Sequence, residues 1–185
     1  MISINVTKTL NTADGVLNAE FIIEIRNGEF LTLFGPSGAG KTTLMRILYG
    51  LYQQTTGDIF IDGEKVTINS PKDAIKKGVG MVTQHFALVP PMTVAENVVL
   101  GYTDSFVLDQ NAIEKKVGEA ADQFGLDINP KSIVRHLSVG QRQRVEILKA
   151  LYRGAQLLIL DEPFAGLDPL NVQLVKDLMR ELRQH

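Results

Sequence analysis

The stretch from Gly35 to Thr43 combines the side chains and the backbone freedom that phosphate binding requires. It reads GPSGAGKTT, so glycines precede a lysine and two threonines. Glycine lets backbone N–H groups curl around phosphate oxygens, and a helix that begins after the glycines adds partial positive charge. We predict that Lys41 reaches the outer phosphates and that the Thr42 hydroxyl binds Mg²⁺. The predicted nucleotide contacts here are Gly35, Pro36, Ser37, Gly38, Ala39, Gly40, Lys41, Thr42 and Thr43.

Two carboxylates follow the continuous apolar run from Leu157 to Leu160. A run of this kind is typical of a buried parallel strand, and ligands of open α/β sheets bind where such strands end. Asp161 is the predicted Mg²⁺ ligand, directly or through water. Glu162 is the predicted catalytic carboxylate, which orients and deprotonates the attacking water. The alternative interpretation is a pair of solvated acids before a turn at Pro163.

The elements that must position these residues follow from the apolar pattern and the turn residues. Strands are predicted over 21–25, 30–34, 79–83 and 156–160, with a hairpin over 58–68 that turns at Asp62-Gly63. Helices are predicted over 41–49, 93–100, 109–124 and 139–152, with one more after Pro169. Strands that alternate with helices indicate an α/β fold with parallel pairing. We predict a core over 1–85 and 151–185, with 86–150 as an inserted helical subdomain.

Composition excludes several other kinds of function. The chain has 185 residues, 44% hydrophobic and 22% charged, with a net charge of −2 and no cysteine. The charge gives no electrostatic basis for nucleic-acid binding, and the lack of cysteine removes disulfides and thiolate metal sites. The N-terminus lacks the pattern of a signal peptide, and no apolar run reaches membrane-spanning length. We therefore expect any link to a membrane to run through a partner protein.

Further motifs resemble those of the ATP-binding cassette (ABC) ATPases. Leu137–Gln141 reads LSVGQ, and with the following RQRVEILKAL and ILDEP it resembles the signature of that family. Gln84 resembles the glutamine of the family's Q-loop, and Ala165–Asp168 resembles its D-loop. Together with the phosphate loop these motifs cover residues 35–168 in family order. The resemblance implies a P-loop NTPase core with a parallel sheet, a small antiparallel part and an inserted helical subdomain.

The resemblance also implies a mechanism that uses ATP and Mg²⁺. Two cassettes pair head to tail, and each ATP lies between the phosphate loop of one chain and the signature of the other. The implied contacts in these motifs are Ser138, Gly140, Gln141 and Asp168. Gln84 would sense the nucleotide, contribute to catalysis and bind Mg²⁺. The simpler interpretation of Ser138 is that it only caps a helix.

The importer branch of the family implies further partners. The ATPase would power solute import through integral-membrane permease subunits, and indirectly serve an extracytoplasmic solute-binding protein. It would then be cytoplasmic and peripheral on the inner face of the cell membrane. The middle of the chain resembles importers of nucleosides or simple sugars, whereas its beginning resembles a molybdate-importer ATPase. A mosaic of two relatives, natural or engineered, would explain this difference.

Two departures from the family pattern affect the expected activity. Lys8–Asn11 occupies the region where most cassettes stack adenine on an aromatic ring, and it offers none. We therefore expect adenine to be held loosely. The family's switch histidine follows a further helix and strand, and His185 comes too early to replace it. We therefore expect a chain that is C-terminally truncated relative to the family and hydrolyses ATP weakly. His85 and His136 lack metal-ligand spacing and are interpreted as packing or surface residues.

Two other functions remain open from the sequence. One is a nucleotide-binding fragment or engineered chimera that binds ATP with little or no turnover. The other is a soluble ABC ATPase that acts outside transport. Soluble members usually carry long coiled-coil insertions or a second cassette, and neither occurs in this sequence. A GTPase is disfavoured because the chain contains no Asn-Lys-x-Asp motif.

Overall fold

The computed structural model describes residues 1–12, 15–26, 29, 31–33, 40–83, 86–102, 109–162, 172–173 and 176–177. The chain divides into two compact units, Met1–Val79 and Gly80–His185. The division predicted from the sequence, a core interrupted by a subdomain over 86–150, stays a prediction.

The first unit contains an antiparallel sheet. Its strands are β1 (Ile2–Thr12), β2 (Gly15–Ile25), β3 (Thr56–Ile61) and β4 (Glu64–Val66), in the order β2-β1-β3-β4. β1 pairs with β2 along its whole length, from Ile2 opposite Ile25 to Thr12 opposite Gly15. Its first half also pairs with β3, from Ile2 opposite Ile61 to Thr7 opposite Thr56. Side chains alternate between the two faces of a strand, and one face of this sheet buries Ile4, Val6, Ile59 and Val66.

Gly57 allows β3 to lie against β1. Its φ is +94°, in the left-handed region that side chains disfavour. A Cβ atom at this position would also collide with the carbonyl oxygen of Asn5 on the neighbouring strand. Both the backbone conformation and the close approach therefore require glycine here.

Two helices complete the first unit. α1 (Lys41–Leu48) buries Leu44, Ile47 and Leu48 on one face. α2 (Pro71–Lys76) begins with proline, and the Ser70 side chain at its N-cap accepts a hydrogen bond from the Asp73 amide. The first amides of a helix lack intrahelical acceptors. Proline in the first turn has no such amide, and serine at the N-cap supplies an acceptor for one, so both favour a helix start.

The second unit is mainly helical around a small sheet. Strand β5 (Val79–Val82) lies beside β6 (Leu157–Leu160) in a two-stranded sheet. The helices are α3 (Val94–Val99), α4 (Gln110–Gln123) and α5 (Val139–Tyr152), with a short 3-10 turn over Val134–His136. Buried aliphatic side chains of the three helices share one core, and the fully buried ones are Val94, Val98, Val117, Val145, Ile147 and Leu148.

Most predicted elements are confirmed. α5 begins and ends at the predicted residues, α1 ends one residue early, and α3 and α4 are each one residue shorter at both ends than predicted. The hairpin turns at Asp62-Gly63, where φ is 50° and 81°. Of the helix predicted after Pro169, residues 172–173 and 176–177 are described and helical. None of the described helices has the length and the apolar character needed to cross a membrane.

The strand predicted over 30–34 is wrong for the residues that can be described. Residues 31–33 belong to no strand, and Phe30 and Phe34 lie outside the described residues. A strand requires a hydrogen-bonded neighbour, which an apolar run does not by itself specify. β1, the part of β2 before Phe21, and α2 were not predicted.

Candidate functional site

The described part of the phosphate loop is the start of α1. Gly40 is the N-cap, with φ 86° and no side chain that could cap the helix. The intrahelical ladder begins where the Leu44 amide donates to the Gly40 carbonyl at 3.0 Å. The amides of Thr42 and Thr43 precede that ladder, at the positive end of the helix dipole. Gly35–Ala39 lies outside the described residues.

This helix start fits a bound anion. The first turn of α1 contains no acidic residue that would repel a phosphate. A Cβ atom added at Gly40 would lie 3.0 Å from the ring of Phe21, so a larger residue would crowd the turn. Thr42 is exposed, while Lys41 and Thr43 are half-buried. An accessible hydroxyl beside a lysine is what a magnesium–phosphate group requires of a protein.

The acidic pair lies directly beyond β6. The Asp161 amide donates to the Val82 carbonyl at 2.9 Å, which fixes the end of β6 to the end of β5. Glu162 is exposed and has a φ of 50°, a left-handed conformation that is unusual for glutamate. Such a conformation costs on the order of 1–3 kcal/mol and is found mainly at functional positions. The strand end therefore carries two carboxylates, one on the anchored backbone of Asp161 and one on the exposed Glu162.

Mg²⁺ needs few protein ligands at a site of this kind. No group of three or more His, Cys, Asp or Glu side chains could hold a metal within the described part of the chain. Mg²⁺ at nucleotide sites is usually bound through one or two protein oxygens together with the phosphates. Thr42, in the first unit, and Asp161, in the second, each carry an oxygen of that type.

The signature residues form the start of α5. Ser138 accepts a hydrogen bond from the Gln141 amide at 3.3 Å, and its own amide donates to Gln141 Oε1 at 2.9 Å. This reciprocal arrangement is a capping box, so the predicted capping role of Ser138 is present. The Arg142 side chain donates to the Leu137 carbonyl at 3.0 Å and holds the residue before the cap. Ser138 remains exposed at the helix start.

The segment after Gln84 contains contacts that the sequence did not reveal. Asn97 is fully buried, and its side chain bonds to both backbone groups of Val89. Glu146, also buried, accepts a hydrogen bond from the Ala87 amide. Burial raises the pKa of Glu146, while the charge of Lys149 opposes that effect. A glutamate among the apolar positions 145–148 was the only available sequence signal.

Several predicted site residues lie outside the described residues. They are Gln84, Asp168 and Gly35–Ala39. His85 and His185, which were not predicted as site residues, lie outside the described residues as well. His136 is exposed at the end of the 3-10 turn, where its Nε2 accepts a hydrogen bond from Arg135 at 3.2 Å. It therefore lies at the surface, one of the two places that were predicted for it.

A profile of the family described as ABC transporter matches residues 20–165, which is most of the chain. The chain belongs to the ABC transporter family. The resemblance that the signature residues indicated is thereby confirmed.

Named relatives of this ABC chain are import proteins. The nucleoside import ATP-binding protein NupA of Lactococcus lactis subsp. cremoris is 45% identical over 184 residues, covering 96% of this chain and 36% of NupA. The guanosine import ATP-binding protein NupO of Bacillus subtilis is 45% identical over 169 residues, covering 90% of this chain and 33% of NupO. The chain thus spans about a third of the length of the curated relatives it matches.

Solved ABC structures share the fold. CbiO1 of Clostridium perfringens, described as part of the transporter complex cbiONQ, aligns with a TM-score of 0.79 and 29% identity over 99% of this chain and 73% of CbiO1. The bacterial ABC transporter cassette MJ0796, solved as a dimer, aligns with a TM-score of 0.79 and 30% identity over 100% of this chain and 83% of that one. The fold is the mixed α/β fold of the P-loop NTPases, as predicted.

Proposed function

We propose that the chain binds and hydrolyses ATP and thereby powers solute import through a membrane permease. The observation that carries this proposal is the start of α1, where Lys41 and Thr42 follow a glycine N-cap with no competing side chain or acidic residue. Membership of the ABC family supports ATP as the ligand. The names of the relatives, which import nucleosides or sugars, support transport as the purpose.

Each described site residue has a proposed role in hydrolysis. Lys41 and the amides of the first turn of α1 hold the outer phosphates. Thr42 and Asp161 supply oxygen ligands for Mg²⁺, which neutralises charge on the phosphate oxygens when bound. Glu162 orients a water and accepts its proton as the water oxygen bonds to the γ-phosphorus. The bond to the oxygen shared with the β-phosphate breaks, leaving ADP and inorganic phosphate.

The remaining predicted contacts keep their proposed roles. Gln84 would sense the nucleotide, assist catalysis and complete the Mg²⁺ ligands. Ser138, Gly140, Gln141 and Asp168 would act on the nucleotide of a second ATPase chain. MJ0796, which was solved as a dimer with ADP and Pi in a post-hydrolysis state, supports a paired arrangement. The predicted division into 1–85 with 151–185 and an inserted 86–150 belongs to the same proposal.

Transport requires partners beyond a second ATPase. We propose that the chain docks on integral-membrane permease subunits at the cytoplasmic face of the cell membrane. An extracytoplasmic solute-binding protein would deliver the solute to that permease. CbiO1, which is part of a transporter complex by its own description, supports assembly with other subunits.

The two other functions left open by the sequence receive less support. The match to NupA covers 96% of the chain at 45% identity, which gives no support to a mosaic of two relatives. The relatives named above are import proteins, which gives no support to a soluble ATPase outside transport.

Phosphate release separates the proposed ATPase from a module that only binds ATP. The chain is incubated with Mg-ATP while free phosphate is measured, and binding of a fluorescent ATP analogue is measured in parallel. We expect binding together with phosphate release that Glu162→Gln removes. Binding without phosphate release would reject hydrolysis, and the absence of both would reject the nucleotide site.

A further inference from the structure

Glu146 is a buried charged residue in the middle of α5. Only 7% of its surface is exposed, and its neighbours Val145, Ile147 and Leu148 belong to the apolar core of the second unit. A carboxylate in such surroundings loses its hydration, and an apolar residue of similar size often packs there with equal or greater stability. The presence of glutamate therefore calls for a specific partner.

That partner is the backbone of Ala87. The Ala87 amide donates to Glu146 Oε1 at 2.5 Å. One helical turn later, Lys149 Nζ donates to the Ala87 carbonyl at 3.2 Å. The two side chains are three positions apart, so they lie on the same face of α5. Two side chains on one face of α5 thus bond to the amide and to the carbonyl of Ala87.

Other side chains bond to the backbone of the segment that follows Ala87, between Val89 and Leu100. Asn97 accepts from the Val89 amide at 2.7 Å and donates to the carbonyls of Val89 at 3.1 Å and Thr93 at 2.9 Å. Arg153, the residue directly after α5, donates to the Leu100 carbonyl at 2.6 Å. The segment is therefore bonded at several points, and Glu146 and Lys149 hold it at Ala87.

The far end of the segment is bonded to the residues that precede the signature. The Arg135 amide donates to the Pro90 carbonyl at 2.9 Å, and the Val134 amide donates to the Met92 carbonyl at 3.0 Å. Ser138 follows within one turn of chain and caps α5. Residues 87–92 are thus joined to α5 directly at Ala87 and to the start of α5 through 134–135.

We propose that Glu146 is a positioning residue that, together with Lys149, fixes the Ala87 peptide to the signature helix. Ala87 follows Gln84 by three residues, so this contact sets where the chain that carries Gln84 joins α5. The catalytic part of this inference rests on the proposed function, since it assumes that Gln84 serves ATP turnover.

The experiment compares Glu146→Leu with Glu146→Gln in the full chain. Leucine removes the acceptor for the Ala87 amide, whereas glutamine keeps an acceptor oxygen at the same place. Hydrogen exchange of the Ala87 amide is followed by NMR in the ¹⁵N-labelled chain, and kcat and the ATP dissociation constant are measured on the same samples. Lys149→Met tests the second contact, because methionine keeps an apolar stem without a donor.

Two variants control for general loss of stability. Ile147→Val removes a buried methylene group from the same helix, next to Glu146, and does not touch the Ala87 backbone bonds. Lys115→Met on α4 removes an exposed lysine whose ion pair with Glu119, at 3.9 Å, is solvent-screened. In both controls the exchange rate of the Ala87 amide and kcat should equal those of the parent.

We expect Glu146→Leu and Glu146→Gln to give different results. In Glu146→Leu the Ala87 amide exchanges about tenfold faster or more, because a hydrogen bond to a charged group is lost. In the same variant kcat falls about tenfold or more, because a shift of about 1 Å at a catalytic group lowers the rate. In Glu146→Gln the exchange rate of the Ala87 amide and kcat both stay close to their parental values.

Several outcomes would overturn the proposal. An Ala87 amide that exchanges as in the parent in Glu146→Leu would show that Glu146 does not fix the segment. Faster exchange with unchanged kcat would show a structural contact without a positioning role, as would an equal fall of kcat in Ile147→Val. A parent chain that binds ATP without turnover would reject the proposed hydrolysis, while the exchange rates would still decide whether Glu146 fixes the segment.

Discussion

At the scale of single residues, the candidate chemistry lies where regular elements begin or end. Lys41 is the first residue of α1, Ser138 is the N-cap of α5, and Asp161 follows the last residue of β6. Such positions leave backbone groups and side chains accessible, because the regular hydrogen-bond ladder does not extend to them. Glu162 adds an unusual backbone conformation at the same kind of position.

Glu162→Gln should separate binding from hydrolysis. The amide keeps the size of the side chain but cannot accept a proton from water, so turnover should fall by roughly 10²–10⁴. ATP affinity, measured by calorimetry, should stay within a few-fold of the parent. Glu119→Gln on the exposed side of α4 is the matched control and should change neither quantity. Turnover at the parental rate in Glu162→Gln would refute the role.

Glu146→Gln should change how stability depends on pH. Burial raises the pKa of Glu146 in the folded chain, with Lys149 and Arg153 nearby as opposing charges. Because this pKa is raised, the folded parent chain is most stable when Glu146 is protonated. Its free energy of unfolding decreases as pH rises from the pKa of an unfolded glutamate, about 4.3, through the higher pKa of the folded chain. Glutamine cannot ionise, so the variant should gain on the parent over that range.

Urea unfolding at a series of pH values measures this effect. The difference in unfolding free energy between variant and parent should increase with pH above the unfolded pKa and then level off. A difference that stays constant over the series would show that the Glu146 carboxyl titrates alike in the folded and unfolded chains.

At the scale of elements, short-range signals account for what the sequence predicted. α5 begins at the predicted residue because Ser138 and Gln141 form a capping box, and α4 begins where the Asp109 side chain accepts from the amides of Asn111 and Ala112. The hairpin turns at Asp62-Gly63 because both residues tolerate positive φ. Each of these features depends on residues that are close together in sequence.

Features that depend on distant residues were missed. β1 pairs with residues as far away as Ile61, and its register cannot be deduced from its own alternation. The contact between Glu146 and Ala87 joins positions 59 residues apart. The phosphate-loop and signature residues form recognisable motifs in the sequence, whereas the buried support of Ala87 has no comparable motif.

Gly57→Ala tests the close packing of β1 and β3. The substitution forces a side chain into a left-handed conformation and against the Asn5 carbonyl, so the strands must separate. Gly63→Ala is the matched control, because φ is +81° there but no atom lies within 4 Å of the added Cβ. The control should lose about 1–2 kcal/mol, the usual cost of that backbone conformation. Gly57→Ala should lose clearly more in urea unfolding, and equal losses would contradict the packing described for β3.

At the scale of the whole molecule, the proposed cycle depends on a second chain. A two-fold pairing would make each signature act on the partner's nucleotide, and every contact would occur twice. Ser138 already caps α5, so its exposed hydroxyl has a structural role as well as the proposed one. A variant at this position must therefore distinguish a lost cap from a lost interface.

Ser138→Arg should prevent ATP-dependent dimerisation. Arginine is too large for a close contact with the partner's nucleotide, so the ATP-dependent increase in mass by light scattering should disappear. ATP binding by the single chain should stay near the parental value. Thr93→Ala removes a capping box of the same kind at α3 and should lower the melting temperature without affecting assembly. Dimerisation of Ser138→Arg at the parental ATP concentration would refute the role.

Calorimetric titration of Lys41→Ala with Mg-ATP tests whether the start of α1 binds the phosphates of ATP. The variant removes the charge that holds the outer phosphates, while Lys116→Ala removes an exposed lysine from α4 as the control. We expect no measurable heat of binding for Lys41→Ala and parental affinity for Lys116→Ala. Parental affinity in Lys41→Ala, with the variant folded by its melting curve, would contradict the account.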